Sequence, residues 1–208
     1  MKNKILLLLT MTLLLGTSAQ AQKKFRPNER RFVYMSSLNF SAGVGQLKFD
    51  DRSIKNDIPT IQVDQLLAYQ FNSHFFMGVG AGINVWKYTA FIPLYLNVSV
   101  NFMKTKITPH WYANMGYAFK WYVESRPEKM TKVINGAVPG PYGETGLGIH
   151  VKITDKVGIL VLAHYRMLYS SVKYSTIGGN EVDFSQYATN RAKNVLYHFA
   201  GVRLGILY

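Results

Sequence analysis

The 208-residue chain contains no cysteine. This absence excludes disulfide scaffolds, thiolate metal sites, cysteine nucleophiles and a lipid anchor attached through an N-terminal cysteine. Acidic residues are scarce, because 11 Asp and Glu stand against 24 Lys and Arg and leave a formal net charge of +13. A chain this basic is expected to contact something anionic: nucleic acid, lipid head groups or an acidic glycan.

The sequence also lacks long apolar runs, with one exception near its start. Residues 1–22 combine two lysines with an apolar run over positions 5–15 and a small, polar end that closes on Ala21. This pattern is typical of a secretory signal peptide that is cleaved after Ala21, and the apolar run is too short to span a bilayer as a helix. We therefore expect an exported protein that has no nucleic-acid partner.

From residue 32 onward, apolar residues alternate with small or polar ones at every second position, which predicts β-strands. The run over 60–72 has one apolar face and one mostly polar face. Connections at 72–73, 104–108 and 154–156 are short, whereas those at 47–58, 124–137 and 173–193 are longer and polar; the short link near 87–89 is the exception. About eight strands with this layout predict a transmembrane antiparallel up-and-down β-barrel. The other alternating runs are 32–46, 74–86, 90–103, 109–123, 142–153, 157–172 and 194–208.

The charged residues decide which face of each strand points outward. A basic side chain facing hydrocarbon at the midplane costs about 2–4 kcal/mol, so the apolar faces are predicted to meet lipid and the charged faces to line the lumen. A soluble barrel of the lipocalin type would have the opposite arrangement. Outward aromatic residues near both barrel ends are interpreted as interfacial girdles.

An eight-stranded barrel is just wide enough for its lumen to be filled by side chains. Antiparallel pairing around the turn at 155 predicts Glu144 opposite Arg166 in a salt bridge, and pairing around 72–73 predicts Asp64 opposite Gly82. Arg166 is a candidate to serve both carboxylates. Four further residues are predicted to face the lumen: Lys120, His150, Lys152 and Arg203.

The signal peptide, the alternating strands and the final strand resemble the small outer-membrane β-barrel proteins of Gram-negative bacteria, of the OmpA and OmpX type. In that family a C-terminal aromatic residue, with apolar residues at alternate positions before it, is read by the barrel-assembly machinery. Tyr208, Ile206 and Leu204 match this signal, although Arg203 stands where a glycine is common. The resemblance implies a signal peptide over 1–21, a periplasmic N-terminal tail over 22–31 and an outer-membrane barrel over 32–208.

The expected function is that of a structural or surface-binding protein acting through extracellular loops, with lipopolysaccharide as an anionic partner of basic loop residues. The alternatives are a narrow gated diffusion channel and an accessory subunit of a larger cell-envelope complex. Neither a cofactor nor a metal site is expected, since the histidines show no ligand spacing. We also expect that the protein is not an enzyme. The one catalytic arrangement that the sequence offers joins His198 with Ser170 or Asp183.

Overall fold

The computed structural model describes residues 31–48, 53–86, 89–123, 132–154, 156–177 and 188–208. The predicted signal peptide and residues 22–30 of the predicted tail lie outside these ranges. Arg31, placed in the tail by the sequence, is the first residue of the first strand. Among the described residues, no helix is long and apolar enough to cross a membrane.

Eight antiparallel strands close into a barrel in the order β1-β10-β9-β8-β7-β6-β5-β4, which confirms the predicted fold. The remaining two strands, β2 and β3, form a separate hairpin. The strands are β1 (Arg31–Val44), β2 (Gln46–Lys48), β3 (Ser53–Lys55), β4 (Pro59–Gln70), β5 (Phe75–Trp86), β6 (Thr89–Asn101), β7 (Ile107–Val123), β8 (Lys132–Lys152), β9 (Gly158–Ile177) and β10 (Ala188–Leu207).

Side chains alternate between the two faces of the barrel wall as the sequence predicted. On β4, Ile61 and Leu67 are 50% and 45% exposed on the outside, whereas Gln62 and Asp64 are fully buried in the lumen. Because successive residues of a strand point to opposite faces, the period-two pattern places apolar side chains outside and polar ones inside.

The two ends of the barrel differ. We call the end with the turns at 71–74, 102–106 and 153–157 the short-turn end, and the opposite end the long-loop end. At the long-loop end, the hairpin β2–β3 occupies part of the expected loop over 47–58. Asn56 holds this segment on the rim, because its Nδ2 donates to the carbonyl oxygen of His198 at 2.8 Å.

Strands β8, β9 and β10 continue into the regions that the sequence predicted as loops over 124–137 and 173–193. Their mutual pairing extends to Lys132↔Thr176 and Ala188↔Ile177. The pairing of β7 with β8 ends at Pro141, and that of β1 with β10 ends at His198. Residues 132–140, 169–177 and 188–197 therefore form a three-stranded extension, here called the projecting sheet. Register shifts near Pro139 mark its base, where proline supplies no N–H for a ladder.

Candidate functional site: a charged network in the barrel interior

Two arginines and two carboxylates meet in the middle of the lumen. Glu144 on β8 lies opposite Arg166 on β9, and the Arg166 Nε is 2.8 Å from Glu144 Oε2. From β10, the Arg203 Nη2 lies 2.5 Å from Glu144 Oε1 and 3.1 Å from Asp64 Oδ2. All four side chains are almost completely buried. The two positive and two negative charges balance within the network.

The residue that joins both carboxylates is Arg203, whereas the ion pair described for Arg166 is with Glu144. Arg203 faces Asn39 on β1, and β1 also pairs with β4, the strand that carries Asp64. Arg166 lies one strand further from β4 around the ring. It donates instead to Glu144 and, through Nη1, to Thr60 Oγ1 at 3.5 Å.

Neutral hydrogen-bond donors complete the coordination of Glu144. The hydroxyl groups of Tyr112 and Tyr142 each donate to one of its oxygens at 2.6 Å. The Arg203 guanidinium also lies over the Tyr112 ring, 4.4 Å from its centroid. These partners matter because a buried ion pair offsets its desolvation cost only when its remaining hydrogen-bonding capacity is satisfied.

Amide side chains complete the coordination of Asp64. Gln62 Nε2 donates to Asp64 Oδ1 at 2.7 Å, and Asn39 Nδ2 donates to Oδ2. Asn39 Oδ1 in turn accepts from Arg203 Nε at 2.6 Å. The sequence reasoning did not assign Asn39, Gln62, Tyr112 or Tyr142 to this network, although all four have the inward parity that would have identified them as lumen residues.

Gly82 provides the space that Asp64 occupies. The two residues are paired across β4 and β5, as the sequence predicted. A Cβ atom at Gly82 would lie 2.1 Å from Asp64 Oδ1, far inside van der Waals contact. The lack of a side chain at this position therefore lets the carboxylate lie against the barrel wall.

The other predicted lumen residues differ in their burial. His150 is buried towards the short-turn end, where its Nδ1 is 3.4 Å from Asn101 Oδ1, and Lys152 is half-buried. Lys120 is exposed at the long-loop end, where it is paired with the inward-facing Phe91 and so has the inward parity that the sequence predicted.

An aromatic cluster covers the network on the side of the long-loop end. The Trp86 ring lies 5.0, 4.8 and 5.3 Å from the ring centroids of Phe91, Tyr197 and Phe199. Between this cluster and Arg166 is a cavity of about 10 Å³, which is room for about one water molecule. Between the cluster and Arg166, the described side chains therefore leave little free space.

The predicted assembly signal lies on the last strand. Leu204 and Ile206 point outward and are 45% and 51% exposed. Tyr208 is half-buried, and its ring centroid lies 5.3 Å from that of Tyr34. Its backbone N and O also pair with Tyr34. Recognition of these three C-terminal residues by assembly machinery stays a prediction.

The structure does not bring the candidate catalytic residues together. His198 has outward parity and its Nδ1 lies 2.5 Å from the Tyr165 hydroxyl, whereas Ser170 is fully buried on the inner face. The barrel wall separates them, so a Ser–His pair is not formed; Asp183 lies outside the described residues. Within the described ranges, no group of three or more acidic or histidine side chains is arranged to hold a metal ion.

Solved outer-membrane barrels share this fold. The outer membrane protein OprG from Pseudomonas aeruginosa aligns with a TM-score of 0.51 and 10% identity, over 88% of this chain and 99% of that chain. Neisserial surface protein A aligns with a TM-score of 0.45 and 14% identity, over 84% and 95% of the two chains. No protein-family model matches the sequence, and no curated protein matches it.

The chain thus has the fold of the small eight-stranded outer-membrane β-barrels, as the sequence predicted. The likeness to OmpA and OmpX in particular stays a prediction.

Proposed function

We propose that this protein is an integral outer-membrane β-barrel with a side-chain-filled lumen, and that it acts as a structural or surface-binding protein through the loops at its long-loop end. The observation that carries the proposal is the inverted polarity of the barrel. Apolar side chains such as Leu96 and Met115 are 63% and 77% exposed on the outside, while Arg166 and Arg203 are buried inside. Water would stabilise the opposite arrangement, and a bilayer stabilises this one.

Three further expectations belong to this proposal. The signal peptide over 1–21 exports the chain and is removed after Ala21. Barrel-assembly machinery reads Leu204, Ile206 and Tyr208 and inserts the barrel. Lipopolysaccharide binds at the long-loop end, because the projecting sheet carries Lys132, Lys173, Arg191 and Lys193 in its sequence and no acidic residue.

Fractionation of Gram-negative cells that express the full chain tests location and processing together. We expect the protein in the outer-membrane fraction, with the mass of residues 22–208. On a detergent gel, the unheated sample should migrate differently from the boiled one, because a closed barrel resists the detergent until it is heated. A soluble chain whose migration does not change on heating would refute the proposal.

A narrow gated channel is the second candidate, and the Arg166 region favours it. In the described part of the chain, Arg166 Nη2 and Arg203 Nη1 are buried without a hydrogen-bond partner. These two donors lie beside the small cavity or within the network. The arginine side chains therefore have N–H groups that are free to form new hydrogen bonds when the network rearranges. If the protein is a channel, it should show single-channel conductance in a planar bilayer, and Glu144→Ala should alter that conductance. A correctly folded barrel that never conducts in a planar bilayer would eliminate this candidate.

An accessory subunit of a cell-envelope complex is distinguished by extraction in mild detergent. A stoichiometric protein that co-purifies with the barrel identifies a subunit. A lone barrel in its detergent micelle identifies an autonomous protein, for which conductance and lipopolysaccharide binding are the next measurements.

A further inference from the structure

Two lysines lie side by side at the mouth of the short-turn end. The backbone N–H of Lys152 donates to the carbonyl oxygen of Lys106 at 2.8 Å, which continues the pairing of β7 with β8 by one residue. Directly paired residues of antiparallel strands point to the same face, with Cβ atoms about 4.5–5.5 Å apart. Both lysines therefore have the inward parity of Thr108 and His150, the next inward pair on these strands.

No anionic side chain neutralises this lysine pair among the described residues. The salt bridges within the described ranges lie in the network around Arg203, and neither Lys106 nor Lys152 takes part in one. Asp155, in the turn between β8 and β9, lies outside those ranges. Like charges directly opposite each other destabilise a strand pair, so an anion held between the two lysines would remove this repulsion. Lys106 is exposed and Lys152 is half-buried, so an anion reaches them from the aqueous side of the mouth.

A buried histidine nitrogen without a partner lies at the same height. A Cβ atom at Gly158 would lie 2.2 Å from His150 Nε2, and Gly158 is paired with Lys152. His150 is 3% exposed, and its Nε2 has no hydrogen-bond partner in the described part of the chain. On the other side of the ring, Nδ1 lies 3.4 Å from Asn101 Oδ1, which is an acceptor, so Nδ1 carries the ring hydrogen. In the neutral ring, Nε2 then has a lone pair that accepts a hydrogen bond.

We propose that the mouth of the short-turn end binds hydrogen phosphate, an anion that has both acceptor oxygens and a hydroxyl group. The ammonium groups of Lys106 and Lys152 each donate to an anionic oxygen. The hydroxyl group of the anion donates to His150 Nε2, the acceptor without a partner in the described residues. Sulfate and the phosphodiester of a lipid head group have no hydroxyl hydrogen near neutral pH, so they would leave Nε2 unpaired. This site goes beyond the proposed function, which assigns binding to the loops at the opposite end.

Calorimetric titration of the protein folded in dodecyl maltoside micelles, which contain no phosphate, tests the lysine pair. Inorganic phosphate, added near neutral pH and at constant ionic strength, should bind to a saturable site. Lys106→Met and Lys152→Met should each weaken this binding at least about tenfold, because each removes a charge-assisted hydrogen bond. Lys104→Met is the matched control, since Lys104 is an exposed lysine in the same turn as Lys106 but outside the pair. It should leave the affinity unchanged.

Sulfate and dimethyl phosphate test the role of His150 without a substitution in the lumen. Sulfate resembles hydrogen phosphate in size and charge but has no hydroxyl hydrogen, and dimethyl phosphate represents the phosphodiester of a lipid head group. Both should bind at least about tenfold more weakly than phosphate, because a site that hydrogen-bonds a hydroxyl group rejects an analogue without one.

Four results would overturn the inference. They are the absence of saturable phosphate binding, an equal loss of affinity in Lys104→Met and Lys106→Met, sulfate binding as tight as phosphate binding, and equally tight binding of dimethyl phosphate, which would identify a lipid head group as the ligand. Heat-dependent gel migration shows whether each sample is folded. A chain that never forms a barrel overturns the proposed function as well, whereas a folded barrel that does not bind phosphate overturns this inference alone.

Discussion

Replacing Arg203 by methionine tests whether the buried network stabilises the barrel through charge balance. Methionine keeps an unbranched side chain in the lumen but removes the guanidinium. Glu144 would retain Arg166 at 2.8 Å and its two tyrosine donors. Asp64 would lose its one cation within salt-bridge distance in the described residues and keep only hydrogen bonds from Asn39 and Gln62.

The expected loss of unfolding free energy follows from this difference between Glu144, which keeps a cation, and Asp64, which loses one. Removing one partner of a buried ion pair and leaving the other charged typically costs about 3–5 kcal/mol, and Arg203→Met should destabilise the barrel by this amount. Neutralising the stranded carboxylate with Asp64→Asn in the same chain should restore at least about 2 kcal/mol, since a buried pair replaced as a whole is often close to neutral. The double variant is thus expected to be more stable than the single one.

Urea unfolding in detergent micelles measures both effects. The three tryptophans report the transition, because Trp86 is packed in the lumen, and the heat-dependent gel shift reports the folded fraction independently. Lys120→Met is the control for loss of a positive charge; its exposed position should limit the change to about 0.5 kcal/mol. The reasoning is refuted if Arg203→Met costs less than about 1 kcal/mol, or if adding Asp64→Asn makes the barrel still less stable.

Three further predictions use the same unfolding assay or a folding assay. Gly82→Ala should destabilise the barrel by about 1–3 kcal/mol, because the new methyl group meets Asp64 Oδ1; a neutral effect would contradict the close approach. Trp86→Ala should cost about 3–5 kcal/mol by emptying the centre of the aromatic cluster, and an unchanged unfolding midpoint would show that the cluster is not packed. Tyr208→Ala should slow membrane insertion in cells more than it lowers stability, since its ring contact with Tyr34 is worth about 0.5–1.5 kcal/mol; equal losses in cells and in vesicles would argue against an assembly signal.

The sequence predicted the barrel and the orientation of most strand faces because both depend on a period of two, which survives over the whole membrane-crossing part. The pair Glu144↔Arg166 was predictable for the same reason, since a short turn fixes the register between β8 and β9. The role of Arg203 was not predictable. It depends on how β1 pairs with both β10 and β4, and neither pairing is set by a short turn.

The projecting sheet was missed for a different physical reason. Residues 132–140 do not alternate apolar with polar residues, and they include Gly136, Pro139 and Gly140. Such a segment has the composition of a loop. Its strand conformation comes from pairing with β9, a tertiary effect that local sequence does not encode.

The uneven strand lengths give the barrel a one-sided rim. At about 3.3 Å per residue and a tilt of about 40°, the 21 residues of β8 rise about 50 Å, whereas the 12 residues of β5 on the far side rise about 30 Å. The projecting sheet therefore stands about 20 Å above the opposite edge of the barrel. A large molecule that approaches the barrel at the long-loop end meets a curved wall on one side before it reaches the mouth of the barrel. Shortening β8, β9 and β10 in pairs at this end would lower the wall while leaving the network around Arg203 in place.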